Sequence, residues 1–173
     1  MLNPDLARFL SQNLNLIENN DFDSLYNSIW SGVKPEDLTD VLLQSNIDFL
    51  SYMTKIPEAC FWGVDIESIR IPGNIETIER KAFALCKVHK VYIEEGVKEI
   101  SNHVFTLCHE LSDMNIPKSI TYIGFQPFAG SIELTKINFR GTKKEFDDIE
   151  KHDEWNTGSF IKTVVCTDGE IKY

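Results

Sequence analysis

The sequence has no apolar run approaching the roughly 18 to 20 residues that cross a bilayer. Its opening stretch, MLNPDLARFL, lacks the basic head, continuous apolar segment and small-residue cleavage site of an export signal. The first absence excludes a membrane-spanning helix; the second predicts a cytoplasmic protein. In that compartment thiols stay reduced, so Cys60, Cys86, Cys108 and Cys166 are expected to be free. Basic residues are scarce: 17 Lys and Arg against 27 Asp and Glu leave a formal charge of -10. That balance argues against direct nonspecific binding to nucleic-acid phosphates or anionic lipid. Only nine glycines in 173 residues exclude a collagen-like chain, and 42% hydrophobic content excludes disorder. A chain of this size can bury a core without disulfides or metals.

Catalytic signatures are missing too. The chain contains no Gly-x-Ser-x-Gly elbow, no His-Glu-x-x-His pair, no phosphate loop and no dinucleotide fingerprint. Cys86-Lys87-Val88-His89 and Cys108-His109 bring thiols near imidazoles in sequence, but no four-ligand set converges and no nucleophile has a spaced base. Asp147-Asp148 and Asp153-Glu154 read as solvated acids rather than a glycosidase pair. No enzyme, no metal site and no cofactor are expected.

What the sequence does contain is a repeat. Ile56 to Phe61, Ile78 to Phe83, Ile100 to Phe105 and Ile123 to Phe128 each open on Ile and close on Phe five positions later, and the phenylalanines recur at intervals of 22, 22 and 23. The register continues through Ile66, Val88, Leu111 and Leu134, then Ile69, Val91, Met114 and Ile137, then Ile71, Ile93, Ile116 and Phe139. The last two sets alternate with polar residues, as short strands do. Stacked at a fixed period, these strands predict a parallel sheet. One unit cannot bury its own Ile, Phe and Leu, so successive units are expected to share an elongated core. Cys86 and Cys108 occupy equivalent positions, three after a core Phe, and are expected to form a buried, inert ladder.

The spaced pattern Ile-Pro-x-x-Ile-x-x-Ile-x-x-x-Ala-Phe-x-x-Cys-x-x-Leu-x-x-Ile-x-Ile-Pro, repeated in phase over about residues 54 to 140, resembles the BspA-like leucine-rich repeat. Phe139 to Phe146, with Trp155 and Val165 to Gly169, is similar to the tail that often closes such arrays. The resemblance implies a solenoid used for binding, usually of proteins, with no cofactor and no shared catalytic residues. Pro127 stands where the family has Ala, Ser131 where it has Cys, and Val88 sits one residue early.

Solenoid ends expose core and need caps. Asn3-Pro4, Asp21, Pro35 and Asn46 each start an apolar face of helical spacing, predicting a bundle of three or four helices over residues 1–55. Thr142-Lys143-Lys144-Glu145 reads as a capping box for a helix bearing Phe146 and Ile149, and Asp168-Gly169 as a two-residue hairpin turn returning through Ile171. The expected fold is therefore α+β: a helical N-terminal cap (1–55), leucine-rich repeats with a 22–23 residue period (56–140), and a helix-plus-hairpin C-terminal cap (141–173).

Outward positions across successive strands give Ser68 and Arg70, Lys90 and Tyr92, Asp113 and Asn115, then Lys136, Asn138 and Arg140. Arg and Tyr supply much of the energy at protein interfaces, so Arg70, Lys90, Tyr92, Asn115, Lys136, Asn138 and Arg140 are the candidate partner-binding residues. A second ladder runs through Glu76-Thr77, Lys98-Glu99 and Thr121-Tyr122, and Trp62 and Phe125 are candidate exposed aromatics. Nine acids face three bases in residues 1–60, a balance of -6, so the helical part is a candidate second docking surface or a mimic of phosphate charge. The leading expectation is a non-enzymatic protein-interaction module. Similarity to small signal-less solenoids of bacteria and their phages suggests, as an alternative, a phage-encoded inhibitor of a host defence or nucleic-acid-handling complex acting in the host cytosol by occlusion or acidic mimicry; a second alternative is a homo-oligomer that self-assembles through the repeat edge or the helical bundle.

Overall fold

The computed structural model describes Leu50 and residues 53–173. The helices expected over 1–55 otherwise lie outside the described residues. Strands β1 (Lys55–Ile56), β3 (Thr77–Ile78), β5 (Glu99–Ile100), β7 (Tyr122–Ile123) and β9 (Glu150–Lys151) pair in parallel, in that order, as a narrow five-stranded sheet. Strands β2 (Ser68–Ile71), β4 (Lys90–Ile93), β6 (Asp113–Ile116), β8 (Lys136–Phe139), β10 (Thr163–Cys166) and β11 (Gly169–Lys172) form the wider sheet. It is parallel from β2 to β10, and β11 folds back antiparallel to close it. The two sheets alternate along the chain, so each turn of the solenoid adds one strand to each.

The repeat spacing produces this arrangement by stacking like on like. Ile56, Ile78, Ile100 and Ile123 are fully buried at 0% exposure. Beside them the rings of Phe61, Phe83, Phe105 and Phe128 stack nearly parallel, at centroid separations of 5.1, 5.3 and 6.1 Å. Ile71, Ile93, Ile116 and Phe139 line the inner side of the wide sheet. The extra residue of the later turns, between Cys108 and Leu111 and between Ser131 and Leu134, falls outside the strands, so the register carries on from Val91 to Met114 to Ile137.

The position three after each Phe forms the expected ladder. Cys86 Sγ donates to the Phe61 carbonyl at 2.8 Å, Cys108 Sγ to the Phe83 carbonyl at 3.0 Å, and Ser131 Oγ to the Phe105 carbonyl at 2.7 Å. One small donor thus satisfies the same buried carbonyl in successive turns, which is why Ser substitutes for Cys at the third. All four cysteines are free and buried. Burial pushes the thiols of Cys60 and Cys86 from the ordinary 9.0 up to about 12, Glu79 adding to the effect at Cys60, and raises Cys108 as well.

Two backbone positions per turn are left-handed. The first is held by Ala59, Lys81, His103 and Gln126, the second by Gly63, Leu85, Leu107 and Gly130. At the second, the bulky Leu85 and Leu107 adopt a conformation that a side chain disfavours by about 1–2 kcal/mol. A Cβ at Gly63 would meet nothing within 4 Å, whereas at Gly96 (φ 119°) it would stand 2.1 Å from the Gly73 carbonyl oxygen of the preceding turn.

At the C-terminal end α1 (Lys143–Asp147) carries the expected capping box, Thr142 and Glu145 satisfying each other's backbone N–H groups. The helix is shorter than its sequence pattern predicts and ends before Ile149. Phe139, Phe146, Trp155 and Tyr173 make a chain of edge-to-face rings over the end of the core. Lys151 Nζ donates to the carbonyls of Phe146 (2.6 Å) and Ile149 (2.7 Å), covering the end of α1. The hairpin turn is one residue earlier than expected: Cys166 pairs with Gly169, leaving Thr167 and Asp168 at the tip. Asp168 is instead drawn to α1, where its Oδ1 accepts the Lys143 N–H at 2.8 Å. At the other end the Asn74 amide donates to the carbonyls of Leu50 (2.8 Å) and Met53 (2.6 Å), tying the segment before β1 to the first turn.

Urea unfolding should show Gly63→Ala losing no more than about 1–2 kcal/mol, from backbone strain alone. Gly96→Ala should lose more, because backbone must move as well. Phe105→Ala should cost about 3–5 kcal/mol, whereas Cys108→Ser should stay within about 1.5 kcal/mol of the parent. The raised thiols add a pH dependence: the unfolded thiol ionises near 9.0 while the folded one holds its proton to about 12. The stability they contribute is complete below pH 9 and declines as pH rises from 9 to 12, a decline that the Cys86→Ser, Cys108→Ser double variant should make shallower. Ellman's reagent should label Cys60, Cys86 and Cys108 only as the protein unfolds.

Candidate protein-binding face

The outward side of the wide sheet presents two rows of side chains, one residue per strand. Register pairing sets Ser68, Lys90, Asp113, Lys136, Thr163 and Lys172 in one row and Arg70, Tyr92, Asn115, Asn138, Val165 and Glu170 in the next. Six of the seven residues singled out in the sequence lie on these rows. The seventh, Arg140, follows β8 directly, its N–H donating to the Ile116 carbonyl at 2.9 Å.

Arg140 reaches back over β6 to β4. Its Nη2 donates to the Ile93 carbonyl at 2.7 Å and stands 3.5 Å from Glu95, and its guanidinium carbon lies 4.5 Å from the Tyr92 ring centroid. From β2, the Arg70 guanidinium carbon lies 5.0 Å from the same ring. The exposed Tyr92 is therefore held between two cations. Arg70 in turn is paired with Glu94, which also accepts the Gly73 N–H at 3.2 Å. The hydrogen bond from Arg70, with that from Gly73, holds the Glu94 carboxyl below the usual carboxylate range. Arg140 Nη1 is enclosed and has no hydrogen-bond partner, alone among the buried side-chain N and O atoms of the described residues. A donor left in that state costs about 1–3 kcal/mol.

The remaining candidates form a second group. Asn115 and Asn138 both donate to Asp113 Oδ1, at 3.0 and 3.2 Å. Lys90 and Lys136, on either side of Asp113 in its row, are exposed and enter no ion pair among the described residues. The contributions of Glu94, Glu95 and Asp113 were not legible as site residues. Asp113 stood out only as an outward position, and the two glutamates lie in turns whose geometry no periodicity describes.

The other candidates are elsewhere. Thr77, Glu99 and Tyr122 are the first residues of β3, β5 and β7 in the narrow sheet, half-buried. Trp62 is exposed beneath the Lys81 ammonium, 5.3 Å from its ring, and Phe125 is half-buried between the edge-on rings of His103 and His152 at 5.1 and 5.0 Å. The thiols of Cys86 and Cys108 point to carbonyls rather than imidazoles, and His89 lies 3.5 Å from Glu110. Asp147, Asp148, Asp153 and Glu154 are all exposed. Among the described residues no group of three or more His, Cys, Asp or Glu could hold a metal ion, and no helix is long and apolar enough to cross a membrane.

Comparison with known proteins agrees with this geometry. No curated protein and no solved structure matches the chain. The BspA type leucine rich repeat region matches residues 36–150, in 6 copies, extending on both sides of the 54 to 140 visible as a sequence pattern and reaching into the segment whose spacing predicts helices. With its stacked Ile and Phe ladders, its two parallel sheets and this match over most of its length, the chain belongs to the BspA-type leucine-rich repeat family.

Proposed function

We propose that this protein is a non-enzymatic interaction module that takes a protein partner on the outward face of the wide sheet, centred on Tyr92. The observation that carries the reading is the clamp itself: an exposed tyrosine held between Arg70 and Arg140, 5.0 and 4.5 Å from their guanidinium carbons. Tyr and Arg are the residues most often found to dominate binding energy. Holding them in place before the partner arrives lowers the ordering cost of association, about 0.5–1.5 kcal/mol per long side chain. Repeats of this family serve as protein-interaction scaffolds, which supports the same reading.

The test is capture of partners from cytosol by the tagged protein, compared by mass spectrometry with an Arg70→Glu, Tyr92→Ala, Arg140→Glu variant and an Arg80→Glu, Lys81→Glu variant on another face. A stoichiometric protein partner should be lost by the first variant, with at least tenfold weaker binding on titration, and kept by the second. A partner retained by the first variant moves the site to the narrow-sheet side or to the acidic N-terminal segment.

A further inference from the structure

Resting on that reading, we propose that the segment docking on this face is acidic: a stretch of a partner protein that sets carboxylates on Lys90 and Lys136, with a donor between them facing Asp113. Adjacent strands are about 4.8 Å apart, so the two lysines, one strand either side of Asp113, stand about 10 Å apart along one row. In a chain of charge -10, four cations of the solenoid find acids one turn away: Lys55 with Glu79, Arg80 with Glu58, Lys87 with Asp65, Arg70 with Glu94. Lys90 and Lys136, like Lys98 and Lys118 on other parts of the solenoid, enter no ion pair among the described residues, although Asp113 lies between Lys90 and Lys136. Its Oδ1 is taken by Asn115 and Asn138, which hold the carboxylate toward the neighbouring row. Two open ammonium groups thus bracket an acid that the protein has already partnered.

The sign pattern also selects a polypeptide over a nucleic acid. A phosphate backbone carries a charge roughly every 3.4 Å along each strand and would lay phosphates over Asp113, Glu94 and Glu95 as well as over the lysines. A polypeptide can place negative charge at the two lysines and a donor between them. This charge complementarity acts mainly on encounter and selectivity, so the interaction is salt-sensitive.

The test uses fluorescein-labelled hexaglutamate as probe, read by fluorescence anisotropy at low and physiological salt, beside hexaglutamine and oligothymidylate. Hexaglutamate should bind saturably and weaken with salt, and hexaglutamine should not bind. Lys90→Glu, Lys136→Glu should weaken hexaglutamate at least tenfold, whereas Asp113→Asn should tighten it severalfold, a gain that misfolding could not produce. Unchanged melting curves check the fold of both variants. No binding of hexaglutamate to the parent, or binding indifferent to the lysine substitutions, overturns the proposal; so does oligothymidylate binding more tightly through the same lysines. Its failure is distinguishable from failure of the interaction-module reading. A protein captured through Tyr92 while hexaglutamate fails leaves the module standing with a partner of other chemistry.

Discussion

Every other feature depends on the stacking of one turn on the next. No single turn has a second layer against which to bury its Ile and Phe, so each depends on the equivalent residues of its neighbours. The 5.1 to 6.1 Å spacing of Phe61, Phe83, Phe105 and Phe128 is the visible form of that dependence. It sets a fixed rise per turn, and with it the distance between adjacent outward side chains on both sheets. It also brings a side-chain donor of one turn to a buried carbonyl of the turn before, as the Cys86, Cys108 and Ser131 ladder shows.

A core built this way is open at both ends. At the C-terminal end the chain departs from the repeat to close it. Helix α1, the aromatic chain from Phe139 to Tyr173 and the antiparallel β11 cover core that a further turn would have covered. The outer edge strand carries Glu170 and Lys172, and charge on an edge discourages pairing with another sheet. The array is thereby closed rather than left as a template for its own extension.

On the face of the wide sheet the regular spacing becomes useful because the outward positions are not repetitive. Successive strands present Arg70, Tyr92, Asn115 and Asn138 at one register, so the solenoid acts as a ruler on which different chemistries are placed at one-strand intervals. Arg140 breaks the ruler by crossing a strand to reach Tyr92, and Asp113 breaks it by turning to two asparagines instead of two lysines. Those two departures give the face its clamp and its open cations.

The ladders, the strands of the wide sheet, the Thr142 to Glu145 capping box and the buried cysteines were legible in the sequence, because each is a local or strictly periodic demand: a side chain every second residue, a unit every 22 or 23, a Thr three before a Glu. The two-residue strands of the narrow sheet are too short to show alternation and became strands only by pairing across turns. The hairpin turn moved by one residue because Asp168 bonds to α1, a contact between segments 25 residues apart. The composition of the outward rows was therefore determined by sequence alone. Which of those residues touch, which remain unpaired, and where Arg140 finds its partners were decided by tertiary structure, since long side chains choose contacts among neighbours that only the stacking of turns brings within reach.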